Sequence, residues 1–431
     1  MSHSTSLSIA ARFLFPVVGP PIPDGRIVIR NGLIVELGAR NGASVDLLAG
    51  NVAITPGFVN AHTHLELDTF ADDPKTPIDE RPPERQLDWM RRMIASRRGL
   101  SLEGLRQNVA TNVRESIRSG TTCVADLSTA GLSWDCVVGS PLRGIVYAEI
   151  LGLKRARAME TSEAAWEWLG KVREREPESN ARVRSGLSPH APYSTAGWLY
   201  ERAATARVPM TTHLAEMPEE EYFLATGEGG LRDFLESINA WDDDWEPLGD
   251  RPADYIRKRD LRQMDWIIAH GNYLDESDFW QLRPQAAPDG QRVAVAYCPR
   301  THARFGHAPH PYLKMIQRGV TVCLGTDSLA SAPSLSVLDE IRFLRRRDPS
   351  TPSPLILAMA TTFGAWAMRL EQVCGSLTPG KAADLAFVQL PHRNAEDPHD
   401  LLFDSDLPVV ATMFGGEFVH APGRFGKTID A

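Results

Sequence analysis

The chain has 431 residues, 43% of them hydrophobic and 23% charged, and carries a formal net charge of −9. That length exceeds what one small core needs and predicts a large domain accompanied by a smaller one. The negative balance excludes a generic binder of nucleic acid or anionic membrane and leaves small molecules, neutral nucleosides included.

Five cysteines, at 123, 136, 298, 323 and 374, form no CxxC pair, and an odd number argues against a disulfide framework. The N-terminal MSHSTSLSIAARFLF lacks a charged region followed by a long apolar stretch. No run approaches the ~18–20 apolar residues of a membrane span. A cytoplasmic enzyme with a small-molecule substrate is the expectation.

Residues 1–51 hold short strand-like pieces, RIVIRNGLIVEL among them, separated by Gly and Pro turns. The first long apolar run is VAITPGFVNAH (52–62), followed by QLDWMRRMIASRR (86–98), which places Trp89, Met90, Met93 and Ile94 on one helical face. Seven further strand-like runs follow: 120–129, 143–152, 181–194, 208–216, 264–274, 292–302 and 319–328. Amphipathic stretches such as 101–119 and 162–176 lie between them. Strands alternating with helices predict βα units and a parallel sheet, and eight such units fit a (β/α)₈ TIM barrel, with a doubly wound sheet as the rival. Residues 375–424 return to short strands and turns. The predicted organisation is a barrel over 52–374 and a small β-sandwich domain built from both termini, 1–51 and 375–431. The aromatic and Pro-containing stretch 239–260 reads as an insertion or lid.

Polar residues fall at the strand ends. His62 and His64 follow the first barrel strand; His190 ends the fourth, His213 the fifth, His270 the sixth and Asp327 the eighth. In a barrel these ends converge on the face where active sites are built. Residues i and i+2 on a strand share a face, so His62 and His64 can aim at one atom. A further imidazole and a carboxylate complete a nitrogen and oxygen set suited to Zn²⁺ or Fe²⁺.

The series PGFVNAHTH, SPHAPYS, HLAE, AHG and LGTDS, in that order, resembles the amidohydrolase superfamily, and more closely its metal-dependent deaminase and chlorohydrolase branch. GSLTPGKAADLAFV resembles that family's return to its small β domain. The resemblance implies His62, His64, His213 and Asp327 as metal ligands. It makes Glu216 the Glu of the HxxE motif and His270 the later strand-end His, and places His190 against the substrate. The fourth strand carries no Lys of the kind that bridges two metals in binuclear members, so one divalent ion is expected, with Zn²⁺ ahead of Fe²⁺. Glu216, His270 and Asp327 are then the catalytic residues. Glu216 takes the proton of the attacking water and hands it to a ring nitrogen, while His270 and Asp327 orient the water. A homodimer is compatible with such a barrel.

Around the seventh strand, YCPRTHARFGH (297–307) resembles the subset that includes aminodeoxyfutalosine deaminases. On that reading Arg300 binds a substrate carboxylate in bidentate fashion and His302 adds a hydrogen bond. Trp89 is expected to stack on the ring. The predicted activity is hydrolytic deamination of an amino-substituted heterocycle of the adenine-nucleoside type. The alternatives are a chlorohydrolase, a cyclic-amide hydrolase, or a catalytically silent metal-binding relative.

Overall fold

A computed structural model describes residues 6–70, 82–174, 182–247, 251–258, 264–282 and 290–422. The N-terminal strands are β1 (Ser6–Leu14), β2 (Ile22–Arg30), β3 (Leu33–Ala39) and β4 (Leu47–Pro56). Next come β5 (Phe58–Thr63), β6 (Thr121–Thr129), β7 (Arg143–Ile150), β8 (Val183–Pro189), β9 (Met210–Leu214), β10 (Trp266–His270), β11 (Val293–Tyr297) and β12 (Thr321–Leu324). The chain returns through β13 (Leu385–Gln389), β14 (Val409–Phe414) and β15 (Glu417–His420).

Strands β5 to β12 form one eight-stranded parallel sheet in sequence order. Its ends meet: His64 N–H donates to Asp327 O at 3.0 Å, and Asp327 N–H donates to His62 O at 3.0 Å. The sheet therefore closes into a (β/α)₈ barrel. The middle barrel strands are buried on both faces because helices cover the outside and side chains fill the inside, which is why they read as continuous apolar runs. The stretch predicted helical at 101–119 forms Leu102–Arg118, with the Ser101 hydroxyl accepting from Gly104 N–H at its start. The stretch expected from 162 begins at Arg155, because Ser162 is buried inside the helix rather than capping it.

The remaining strands form a seven-stranded mixed sheet in the order β15-β14-β13-β4-β1-β2-β3. Strand β4 is its hinge: parallel to β1 on one side, antiparallel to β13 on the other, it joins both termini in one sheet. Its apolar face buries Ile9, Ile27, Ile29, Val52, Ile54, Leu385 and Phe387 in a core of their own. The expected boundary between residues 51 and 52 needs correcting. Val52–Thr55 pair with β13, and the barrel begins only after Gly57. Both strands are buried, so hydropathy shows no seam. Gly57 marks it, since a Cβ there would come within 2.1 Å of the Thr122 hydroxyl. No helix among the described residues is long and apolar enough to cross a membrane.

Candidate active site

The C-terminal ends of the barrel strands gather the imidazoles. His62 lies within β5, His64 one residue beyond it, and His213 within β9. One ring nitrogen from each lies within 4.8 Å of the others, the one such cluster of three or more ligand-type groups among the described residues. Asp327 reaches the same point from beyond β12, its Oδ1 3.8 Å from Nε2 of both His62 and His64. Its other oxygen is tethered, accepting a hydrogen bond from the Ser331 hydroxyl at 2.8 Å. His270 and Asp327 both take left-handed backbone, φ 68° and 58°, an uncommon state for such residues that turns their side chains sharply off the strand ends.

The electrostatics favour neutral donors. Burial pushes the imidazoles of His62, His64 and His270 well below the ordinary histidine range, and His213 to about 3. His190 falls to about 4 for the same reason. Neutral imidazoles keep a lone pair available. His213 Nδ1–H donates to the His190 carbonyl at 2.9 Å, which leaves its Nε2 as a lone pair 3.3 Å from Nε2 of His64. Both ring nitrogens of His62 are buried without a hydrogen-bond partner. Such an arrangement is costly on its own and is relieved by a cation shared among the rings. Three neutral imidazoles with a carboxylate oxygen thus fit a divalent ion of the Zn²⁺ type.

Glu216 sits two residues past β9 and is buried. Burial, then the Asp327 charge, raises its carboxyl well above the ordinary range. Burial also raises Asp327, to about 6. These groups open into a cavity of about 760 Å³, lined among others by His64, His190, His213, Glu216, His270 and Asp327. The predicted face of the helix Gln86–Arg98 supplies one wall, with Trp89, Met90, Met93 and Ile94 all lining it. Trp89 is fixed there by its Nε1–H donating to Ala330 O at 2.8 Å. The described part of the 239–260 stretch brings Asn239 and Ala240 to the cavity and stacks Trp245 on Phe223; residues 248–250 and 259–260 lie outside the described residues.

Two expected substrate residues are placed elsewhere. Arg300 is 4% exposed and absent from the cavity wall. Its Nε donates to Glu340 Oε1 at 2.7 Å, and its other nitrogens are taken by Ser334 and the Ser336 carbonyl. The guanidinium is therefore committed to a buried internal ion pair away from the cavity. His302 Nε2 donates to Ala308 O at 2.8 Å and likewise lies off the cavity. The CPRTHAR segment braces the site instead: Thr301 bonds Ser331, the tether of Asp327.

Among the cavity residues that sequence reasoning passed over are Gln86, Glu149 and Arg97. Gln86 bonds Glu216. Glu149, in β7, presents a carboxylate to the cavity with no hydrogen bond or ion pair to a described residue. Arg97 pairs with Glu66 at 2.9 Å. A strand-end signal was present for Glu149, which is the last residue but one of the third barrel strand, as His190 follows the fourth. For Gln86 no such signal exists.

The amidohydrolase family profile matches residues 53–419. The 5-methylthioadenosine/S-adenosylhomocysteine deaminase of Moorella thermoacetica is 28% identical, with 97% of this chain and 94% of that protein covered. An adenosine deaminase from Xanthomonas campestris, solved with bound zinc, superposes with a TM-score of 0.79 at 21% identity, covering 99% of this chain and 94% of that one. The Helicobacter pylori aminofutalosine deaminase, in complex with methylthio-coformycin, gives a TM-score of 0.79 at 21% identity, covering 96% and 100%. At these identities the two structures share the fold.

Proposed function

The chain belongs to the amidohydrolase family, and on that premise we propose that it is a hydrolytic deaminase, releasing ammonia from an amino-substituted heterocycle of the adenine-nucleoside type. As a member of this family it is a metal-dependent hydrolase acting on C–N bonds. The observation that carries the finer reading is the meeting of a His62, His64, His213 and Asp327 donor set with the buried Glu216 in one cavity. Those four residues hold the ion, and Zn²⁺ is the ion we propose. A bound divalent ion makes water acidic enough to ionise near neutral pH.

The chain's own groups do the rest. Glu216, its carboxyl raised by burial, both accepts a proton from water and returns it to a ring nitrogen, the double duty of a buried acid–base carboxyl. His270, neutral and with Nε2 unpartnered, orients the attacking oxygen. Asp327, raised to about 6, relays a proton to the departing ammonia. His190 and the Trp89 wall hold the ring. The cavity is within the ~300–1,000 Å³ typical of small-molecule sites and, at about 760 Å³, accommodates a nucleoside with a 5′ substituent. The adenine-type reading is supported by the names of the curated relatives, methylthioadenosine and S-adenosylhomocysteine deaminases. The argument for a benzoate-bearing nucleoside loses its anchor with Arg300.

The test is ammonia release across methylthioadenosine, S-adenosylhomocysteine, adenosine and aminodeoxyfutalosine, with chloride release from a chlorotriazine as counter-substrate. Glu216→Gln should lower kcat by about 10²–10⁴-fold with metal content unchanged. Ammonia release that survives this substitution, or chloride release alone, overturns the reading.

A further inference from the structure

The two oxygens of Glu216 are treated unequally. Oε1 accepts a hydrogen bond from Gln86 Nε2 at 2.5 Å and is faced by His270 Nε2 at 3.5 Å. Oε2 has no hydrogen bond to a described residue, while Glu216 itself lines the cavity. Asp327 shows the same division, one oxygen tethered to Ser331 and the other presented to the imidazoles.

Gln86 is 7% exposed and stands in the first turn of its helix. Its amide oxygen is buried with no partner, so its one hydrogen bond goes to Glu216. An amide kept for packing would have both ends satisfied, because an unpaired buried carbonyl is costly. The turn that carries Gln86 is itself clamped. Glu84 N–H donates to Arg304 O at 3.0 Å, and the Glu84 carboxylate pairs with Arg304 at 2.9 Å and with Arg92 at 3.0 Å. Gly306, at φ 64°, lets Pro83 approach where a Cβ would come within 2.7 Å. The CPRTHARFG segment thereby sets where Gln86 stands.

We propose that Gln86 is a positioning residue: its amide N–H immobilises Oε1 of Glu216, so that Oε2 alone faces the reacting atoms and carries the proton. This rests on the deaminase reading for the identity of the proton's donor and acceptor, but the hold on Glu216 stands on geometry alone. A carboxylate free to rotate offers either oxygen and spends part of its time misaimed. One pinned through Oε1 keeps Oε2 in a fixed attitude between water and ring, and proton transfer depends on such alignment.

Two variants and two readouts test it on the metal-loaded full chain. Gln86→Leu removes the donor at similar volume. kcat on the preferred substrate should fall by about 10- to 100-fold, the range for a lost hydrogen bond to a charged group. KM should change less than kcat. Gln86→Glu supplies a donor only while its own carboxyl is protonated, so its kcat–pH profile should move to the acid side of the parent's; a residue needed only for packing would not move it. The second readout is independent of turnover. The infrared carboxyl band of Glu216, identified by subtraction against Glu216→Gln, should shift in Gln86→Leu. If the parent deaminates and Gln86→Leu keeps kcat within twofold with an unmoved pH profile, the positioning role is wrong and the deaminase reading stands. If the parent deaminates nothing, that reading fails and the infrared band decides: a shift upholds the hold on Glu216, and an unchanged band overturns it.

Discussion

Two histidine groups lie near the same end of the barrel and behave differently. His62, His64 and His213 come from strands, point inward and bring ligand nitrogens within 4.8 Å of one another. His302, His307 and His310 come from the segment after β11, are equally buried, and line no part of the catalytic cavity. Each of the second three spends one nitrogen on a fixed neighbour: His302 on Ala308 O, His307 on the Tyr273 hydroxyl at 3.1 Å, His310 on the His270 carbonyl at 2.8 Å. Their other nitrogens are unpartnered, yet no triad of ligand atoms converges. Unpaired buried nitrogen is therefore not enough to make a ligand set; convergence is. The first group meets at an ion's distance because β5 and β9 aim their side chains down one barrel axis. The second is spread along a short helix and the loop that follows, where it braces the backbone behind His270.

The comparison breaks most visibly through metal content. His213→Ala should lose bound metal and at least about 10³-fold in kcat/KM, since both the ion and its orientation go. His307→Ala should keep full metal stoichiometry. Elemental analysis of the two purified variants checks this, and loss of metal from His307→Ala would erase the distinction. Next in size is Arg300. Breaking a buried pair by removing one partner typically costs about 3–5 kcal/mol, so Arg300→Met should lower stability by that order in denaturant unfolding while leaving KM for the substrate within about twofold. A large rise in KM at unchanged stability would return Arg300 to the substrate.

The inward set was legible because it obeys two simple rules. Side chains two apart on a strand share a face, and barrel strands end on one rim. His62 and His64 satisfy the first, those two with His213, His270 and Asp327 satisfy the second, and the apolar runs locate the rim without tertiary information. Arg300 was misread because an Arg just past a strand looks the same whether it faces a ligand or a partner. The deciding residue, Glu340, lies forty positions downstream in a helix whose docking no local pattern encodes. Gln86 escaped for a related cause: it is not on a barrel strand. It reaches Glu216 because Arg304 and Gly306 seat the start of its helix. The seam between β4 and β5 was invisible because burial on both sides of Gly57 keeps the hydropathy continuous.

Acid stability sharpens the comparison from its weakest side. In the metal-stripped protein both groups are neutral: burial lowers His213, His307 and His310 to about 3 and His302 to about 4, and His62 and His64 fall well below the usual range. In the unfolded chain these imidazoles titrate near 6.5. Between 6.5 and their folded values the unfolded state binds more protons, so the stabilisation is complete above 6.5 and drains away as pH falls. Each histidine contributes a slope of up to about 1.4 kcal/mol per pH unit in that window. Asp327 has the opposite sign: raised to about 6 by burial, it binds its proton earlier in the folded state and offsets part of the loss between about 6 and 3.8. Asp126, raised by burial to about 8, and Glu220 and Glu340, raised to about 7, act in the same sense as Asp327, so the expectation concerns the histidines' share alone: a contribution to stability, read in the melting temperature, that falls from pH 6.5 to pH 5. His307→Gln should flatten that fall by one histidine's worth in stripped and loaded protein alike. Loading with metal should steepen it, because protons must then displace an ion from His62, His64 and His213 but from nothing in the second group. A loaded protein whose acid slope matches the stripped one would mean that the ion sits elsewhere, and that the inward convergence of the three rings is not what binds it.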